Sequence, residues 1–209
     1  METIKQYFPD IDNQQLTKLE LLKTELANWN EKINLISRKD VENIDIHHIL
    51  HSLSIYKYQK FLPDSQVLDL GTGGGFPGLP LAIMQPEVNF MLIDARAKKI
   101  MVVKELIKAL DLKNVNAVHI RAEEMKGQYD FVVSRAVAPL SQLMDWSKHL
   151  YSGSQYHGIP NGLICLKGGQ QIKKELKQMP KSAYTEQIAI QKWFKDEWFE
   201  EKFVVYVQS

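Results

Sequence analysis

Cysteine is almost absent, since Cys165 is the only one in 209 residues. That excludes an intramolecular disulfide and any multi-cysteine zinc or iron–sulfur site, and it fits a reducing cytoplasm. Long hydrophobic runs are missing too. None approaches the ~20 apolar residues that a helix needs to span a bilayer, and the opening METIKQYFPDIDNQQ is polar and acidic, without the basic-then-apolar form of a signal peptide. The expectation is a cytoplasmic chain with no membrane partner. Charge of one sign is not in excess either: 26 Lys and Arg face 25 Asp and Glu, a net charge of +1. A globally basic nucleic-acid coat is therefore excluded, whereas a local basic face balanced by acids elsewhere is not. Internal repeats and low-complexity tracts are lacking.

What is present is organised in two parts. At ~150 residues per domain the length corresponds to about one domain, and the expected division is a helical extension over 1–62 followed by an α/β core over 63–209. Leu16, Leu19, Leu22, Leu26 and Trp29 recur three and four apart, as do Ile46, Ile49, Leu50, Leu53 and Tyr56, which predicts two amphipathic helices. From residue 65 short apolar runs take over: VLDL, VNFMLID, VNAVHI, YDFVVS, GLICLK, AYTEQIAIQKWF and EKFVVYVQ. Helical patterns separate most of them, which predicts a mostly parallel seven-stranded sheet covered on both faces. No helix separates the last two runs, so they are expected to form a C-terminal antiparallel hairpin.

The segment VLDLGTGGGFPG ends an apolar strand in glycines just before a helix. Glycines let backbone amides approach a ligand closely, and the helix N-terminus behind them favours partial negative charge. The GxGxxG spacing of Gly73, Gly75 and Gly78 is by itself weak. Asp69 precedes Gly71 by two residues, and Asp94 closes the next strand, where an acid can accept hydrogen bonds from ribose hydroxyls. A carboxylate beside the loop opposes a pyrophosphate and welcomes an ammonium group. From these residues alone, a tight βα turn with a capping acid and a nicotinamide site stay open as alternatives.

DLGTGGG followed by Asp94 resembles motifs I and II of the S-adenosylmethionine-dependent methyltransferases. The resemblance implies a Rossmann-like class I methyltransferase domain over 1–209, with S-adenosyl-L-methionine as cofactor, the loop carrying its methionine part and Asp94 its ribose. As to the acceptor, SRAVAPL lacks the acid or Asn, two prolines and aromatic usual for amine methylation, and Cys165 within LICL reads as a buried thiol, not a nucleophile. What stands at the strand ends is basic: Arg135 closes YDFVVSR and Lys167 closes GLICLK.

Further motifs narrow the resemblance. WNEKINLIS, HHILHSL, LDLGTGGGFPGLPLAI, IDARAKK, RAEE, SRAVAPL and LKGG, spread over 29–169, are similar in order and content to the small-subunit (16S) ribosomal RNA guanine-N7 methyltransferases. That family's pattern implies a cofactor site of Asp69, Gly71, Thr72, Gly73, Gly75, Phe76, Asp94, Ala122, Glu123 and Arg135. Arg135 and Lys167 are the implied catalytic residues. Lys167 is the implied contact near the acceptor; with Arg38, Arg96, Lys173 and Lys174, basic residues expected around the crevice, and His48 it makes up the expected RNA contacts. Ribosomal RNA or the small subunit is the implied partner, and a monomer the expected state. His51 departs from the family pattern, which often has an acid there. A methyltransferase for a small molecule or protein, or a cofactor-binding module without turnover, are the alternatives.

Two features read as structural. His47 and His51 have the spacing of a metal pair but no evident third ligand, so no metal is expected. Trp193, Phe194, Trp198 and Phe199 lie among Asp196, Glu197, Glu200 and Glu201, which repel phosphates, and are expected to pack within the hairpin core.

Overall fold

The computed structural model describes residues 1–135 and 137–209, so Ala136 of SRAVAPL lies outside the described residues. The extension opens with α1 (Glu2–Tyr7) and α2 (Asn13–Asn30). Asp12 and Gln15 form a capping box at the start of α2, Asp12 Oδ1 accepting from the Gln15 amide at 2.7 Å and Gln15 Oε1 from the Asp12 amide at 3.2 Å. Leu16, Leu19, Leu22 and Leu26 are all buried along one stripe.

The second predicted helix is not regular. A 3₁₀ segment, Arg38–Asn43, and a π-helical segment, Asp45–Leu50, precede α3 (His51–Tyr58). The His51 amide donates to the carbonyls of both His48 and Ile46, and the wide turn this makes is a form often found at functional sites.

The core runs β1 (Gln66–Leu70), α4 (Gly78–Met84), β2 (Asn89–Asp94), α5 (Ala97–Ala109), β3 (Val115–His119), β4 (Phe131–Arg135), α6 (Leu140–Ser147), β5 (Gly162–Gly168), α7 (Gln171–Gln178), β6 (Thr185–Ala189) and β7 (Lys202–Gln208). The sheet order is β3-β2-β1-β4-β5-β7-β6, with β1 to β5 parallel and β7 antiparallel to both of its neighbours. The last strand thus enters between β5 and β6. Val204 to Val207 are buried while β6 is at most half-buried, so the apolar strand takes the interior and the polar one the edge.

Alternate strand residues face two layers. Val67, Phe90, Val133 and Ile164 join the extension, α4 and α5 in one buried cluster, and Leu68, Val132, Leu163 and Cys165 join α6 and α7 in the other. Among the described residues no helix is long and apolar enough to cross a membrane.

Order reverses between β1 and β4, which opens a crevice at their carboxyl ends. The glycine loop, Arg135 and Lys167 all leave the sheet on that side.

The aromatic run 193–199 packs on the core as expected, Phe194 and Phe199 fully and Trp193 and Trp198 partly buried, but it lies outside the hairpin ladder. The β6–β7 pairing ends at Ala189 and Phe203, so these residues form the connection. Phe194 is fully buried against Tyr7 (ring centroids 5.0 Å apart), Phe8 and Phe199. Phe194→Ala is expected to cost about 3–5 kcal/mol, because it opens a cavity between extension and core. Urea unfolding should show one transition at a lower midpoint; two separate transitions would show that extension and core unfold independently.

Candidate active site

The loop after β1 turns through backbone conformations that favour glycine. Gly71 has φ +77°, and a Cβ there would stand 2.5 Å from Val137 Cγ2. Asp69 fastens both ends of this loop: its Oδ2 accepts from Thr72 Oγ1 at 2.6 Å and from the Gly78 amide at 2.8 Å. A Cβ at Gly78 would approach the same oxygen to 2.7 Å, so the helix must begin on a glycine.

A cavity of about 720 Å³ fills the crevice. On one side it is bordered by Gly71, Thr72, Gly73, Phe76, Asp94, Arg96, Lys99, Ala122 and Glu123, and on the other by Asp40, His47, His48, His51, Arg135, Lys167, Trp198 and Lys202. Two expected cofactor contacts are not in this wall. Asp69 has no exposed surface, because β1 alternation turns it under the start of α4, and Gly75 is buried behind the loop. Asp69 therefore holds the loop rather than facing a ligand's ammonium group.

Burial pushes the Asp69 carboxyl up to about 7, against the opposing effects of its two hydrogen bonds and of Arg135. Asp94 is half-buried and meets the cavity, its Oδ2 accepting from the Gly73 amide at 3.0 Å and its Oδ1 from the Arg96 amide at 2.8 Å. Each oxygen keeps lone-pair capacity for a ligand hydroxyl.

Arg135, at the end of β4, lays its guanidinium 4.9 Å over the Phe76 ring, and its Nη1 donates to the His47 carbonyl at 3.4 Å. Burial lowers its pKa to about 10, with Asp69 and Asp40 opposing, so it stays cationic at neutral pH. The same burial, with Arg135 second, pushes His48 down to about 3 and His51 well below the usual histidine range. His47 bonds Asp40 through Nδ1 at 2.7 Å and stacks on Trp198 at 4.2 Å.

Lys167 is less free than a strand-end cation. Its Nζ donates to Glu175 Oε2 at 2.9 Å and to the Ala138 carbonyl, and the same Glu175 oxygen accepts from the Leu140 amide at 2.9 Å. The lysine thereby ties β5, α6 and α7 together at the cavity wall.

Of the other expected RNA contacts, His48 and Arg96 border the cavity. Arg38 is exposed outside its wall, and Lys173 and Lys174 project from the open face of α7. Cys165 is fully buried, and burial pushes its thiol up to about 12, which leaves it inert.

Residues 15–197 match the family model of rRNA small subunit methyltransferase G. The chain is 50% identical to the ribosomal RNA small subunit methyltransferase G of Bacteroides thetaiotaomicron over all of both chains, and 49% identical to that of Phocaeicola vulgatus over 99% of this chain and 98% of the relative. The chain belongs to the rRNA small subunit methyltransferase G family. Solved structures agree on the fold: a SAM-dependent methyltransferase from Aquifex aeolicus superimposes with a TM-score of 0.59 at 14% identity, over 83% of this chain and 100% of that one. A precorrin-6y C5,15-methyltransferase from Geobacter metallireducens gives 0.54 at 10% identity, over 85% and 92%. This member of the methyltransferase G family thus has the class I, Rossmann-like fold.

Sequence reasoning missed Asp40, Trp198, Lys202 and Glu175. Only the aromatic among the acids at Trp198 was a visible signal, and it read as core.

An unfolded aspartate titrates at ~4, and burial pushes Asp69 in the folded chain up to about 7. In that window the folded state holds the extra proton, so stability is highest at its lower end and falls as pH rises towards 7. Asp69→Asn keeps an acceptor for Thr72 and Gly78 but cannot ionise, and it should flatten that limb of a urea-unfolding pH profile. An unchanged slope would show that Asp69 does not carry it.

Proposed function

We propose that this chain transfers a methyl group from S-adenosyl-L-methionine to nitrogen 7 of a guanine in small-subunit (16S) ribosomal RNA, acting as a cytoplasmic monomer. The observation that carries the reading is the two-sided cavity, with the glycine loop and Asp94 on one wall and cations with uncharged imidazoles on the other.

The residues present fit the cofactor. At Gly73, φ +60°, a side chain would meet only ordinary contacts, with Lys99 Nζ 3.7 Å from where its Cβ would stand, a cation suited to the carboxylate of an amino acid. Asp94 lines the same cavity and is assigned to the ribose, and Ala122 and Glu123, which also line it, to the adenine end. Bound there, S-adenosylmethionine supplies a methyl group made electrophilic by its sulfonium.

The chain's own work is then orientation. Nitrogen 7 of guanine presents a lone pair and no proton, so the acceptor needs no general base. His48, with its pKa near 3, would be a poor one at neutral pH. Holding the acceptor in line with the methyl group can lower the barrier by roughly 7–11 kcal/mol. A donor on nitrogen 7 would occupy the attacking lone pair, so Arg135 is assigned to the neighbouring oxygen 6 or the RNA backbone. Lys167, held by Glu175, keeps one N–H for the acceptor side and fixes the wall on which the base rests. Arg38, Arg96, Lys173 and Lys174 are left to meet phosphates, which position RNA without reading its sequence.

Small ribosomal subunits incubated with the protein and methyl-labelled cofactor should yield labelled 7-methylguanosine in their RNA. Label in protein or in a small molecule, or cofactor binding without transfer, would overturn the reading. Asp94→Ala should weaken cofactor binding by about 1.5–3 kcal/mol while leaving the fold intact. Unchanged affinity by calorimetry would remove Asp94 from the cofactor site.

A further inference from the structure

The acceptor side of the cavity holds polar groups that the transfer step does not use. His48 and His51 are each only 8% exposed, and neither ring nitrogen of His48 nor Nε2 of His51 has a hydrogen-bond partner among the described residues. Buried polar atoms without partners are costly, and at the wall of a cavity they point to a ligand that completes them. Beside them stands Asp40, from the 3₁₀ segment, with one oxygen committed and one available. Its Oδ1 is held by His47 Nδ1 at 2.7 Å, while its Oδ2 is 4.0 Å from His48 Nε2, beyond hydrogen-bonding reach. The stack of His47 on Trp198 holds the carboxylate's support in place.

An uncommitted carboxylate oxygen next to an uncharged imidazole presents acceptors beside a donor. The Watson–Crick edge of guanine has the matching order, with N1–H and the N2 amino group as donors and oxygen 6 as acceptor. Adenine has a lone pair at N1, which a carboxylate repels. Nitrogen 7 lies on the other side of oxygen 6 from N1 and far from N2, so a base gripped at Asp40 through N1 and N2 leaves nitrogen 7 uncovered by that grip.

We propose that Asp40 selects the acceptor base, its carboxylate taking the N1–H and N2 amino protons of guanine while the His48 ring donates to oxygen 6. The assignment rests on the guanine-N7 reading above. His48 is suited to its part because burial and Arg135 keep it uncharged, with one N–H and one lone pair, at any pH near neutrality.

The test uses small subunits reconstituted with RNA carrying guanosine or inosine at the methylated position. Inosine keeps nitrogen 7, oxygen 6 and N1–H but lacks the N2 amino group. The parent protein should show a kcat/KM for guanosine about tenfold or more above that for inosine. Asp40→Asn should lose most of this preference, chiefly by slowing guanosine, with cofactor affinity and melting temperature unchanged. A merely structural role for Asp40 would slow both substrates alike and leave the ratio as it was. Equal rates on both bases with the parent, or a folded Asp40→Asn that keeps the parent's ratio, would overturn the assignment. Should Asp40→Asn fail to fold, Asp40→Glu, which keeps the carboxylate but displaces it, should lower the ratio, and a folded Asp40→Glu with the parent's ratio would overturn the assignment. A parent protein that methylates no guanine in the control subunits would instead overturn the function reading, and the base assignment with it.

Discussion

A single buried carboxylate sets the geometry on which the cavity depends. Asp69 has no contact with solvent, yet it holds the hydroxyl of Thr72 and the amide of Gly78 on one oxygen, and so closes the glycine loop as a staple closes a fold in paper. Were the loop free to open, Gly73 would leave Asp94, and the wall assigned to the cofactor would lose its shape. The cost is visible in the carboxyl itself, whose second oxygen has no partner and whose proton is held to about pH 7. Strain in the charge state of one residue is exchanged for order in residues 71–78, which follow β1.

The opposite wall is built differently. It comes from segments far apart in the chain: the 3₁₀ and π-helical turns of the extension, the ends of β4 and β5, and the connection into β7. Arg135 links the walls, lying over Phe76 of the loop and reaching the His47 carbonyl on the other side. Its charge also helps to keep His48 and His51 neutral, so a cation, two uncharged rings and a carboxylate coexist within one cavity.

The core was legible because its signals are local. Strand-length apolar runs, glycines before a helix and an acid at the next strand end each depend on neighbours in sequence, and the seven strands with their terminal hairpin follow from them. Asp69 was legible as important but not in its task, since which face of β1 it takes depends on α4 packing above it. The acceptor wall was largely illegible. Asp40 sits in an ordinary polar stretch, and Trp198 gains its place only because the β6–β7 ladder ends early and sends residues 190–201 back to the extension. Lys167 read as an open cation because its partner, Glu175, lies one helical turn into a lysine-rich helix whose lysines face water while Ile172 and Leu176 pack on the core.

The insertion of β7 between β5 and β6 bears on how the molecule comes into being. A ribosome delivers the chain from its N-terminus, and the extension, the glycine loop and five parallel strands can begin to assemble while synthesis continues. The strand that seats β6, and the connection that brings Trp198 and Lys202 to the cavity, arrive last. A nascent chain can therefore shape its cofactor wall early, but the pocket facing it is incomplete until translation has ended. A product of interrupted synthesis that stops before this connection keeps Asp40, His48, Arg135 and Lys167 but lacks Trp198 and Lys202, and with them the stack that holds His47.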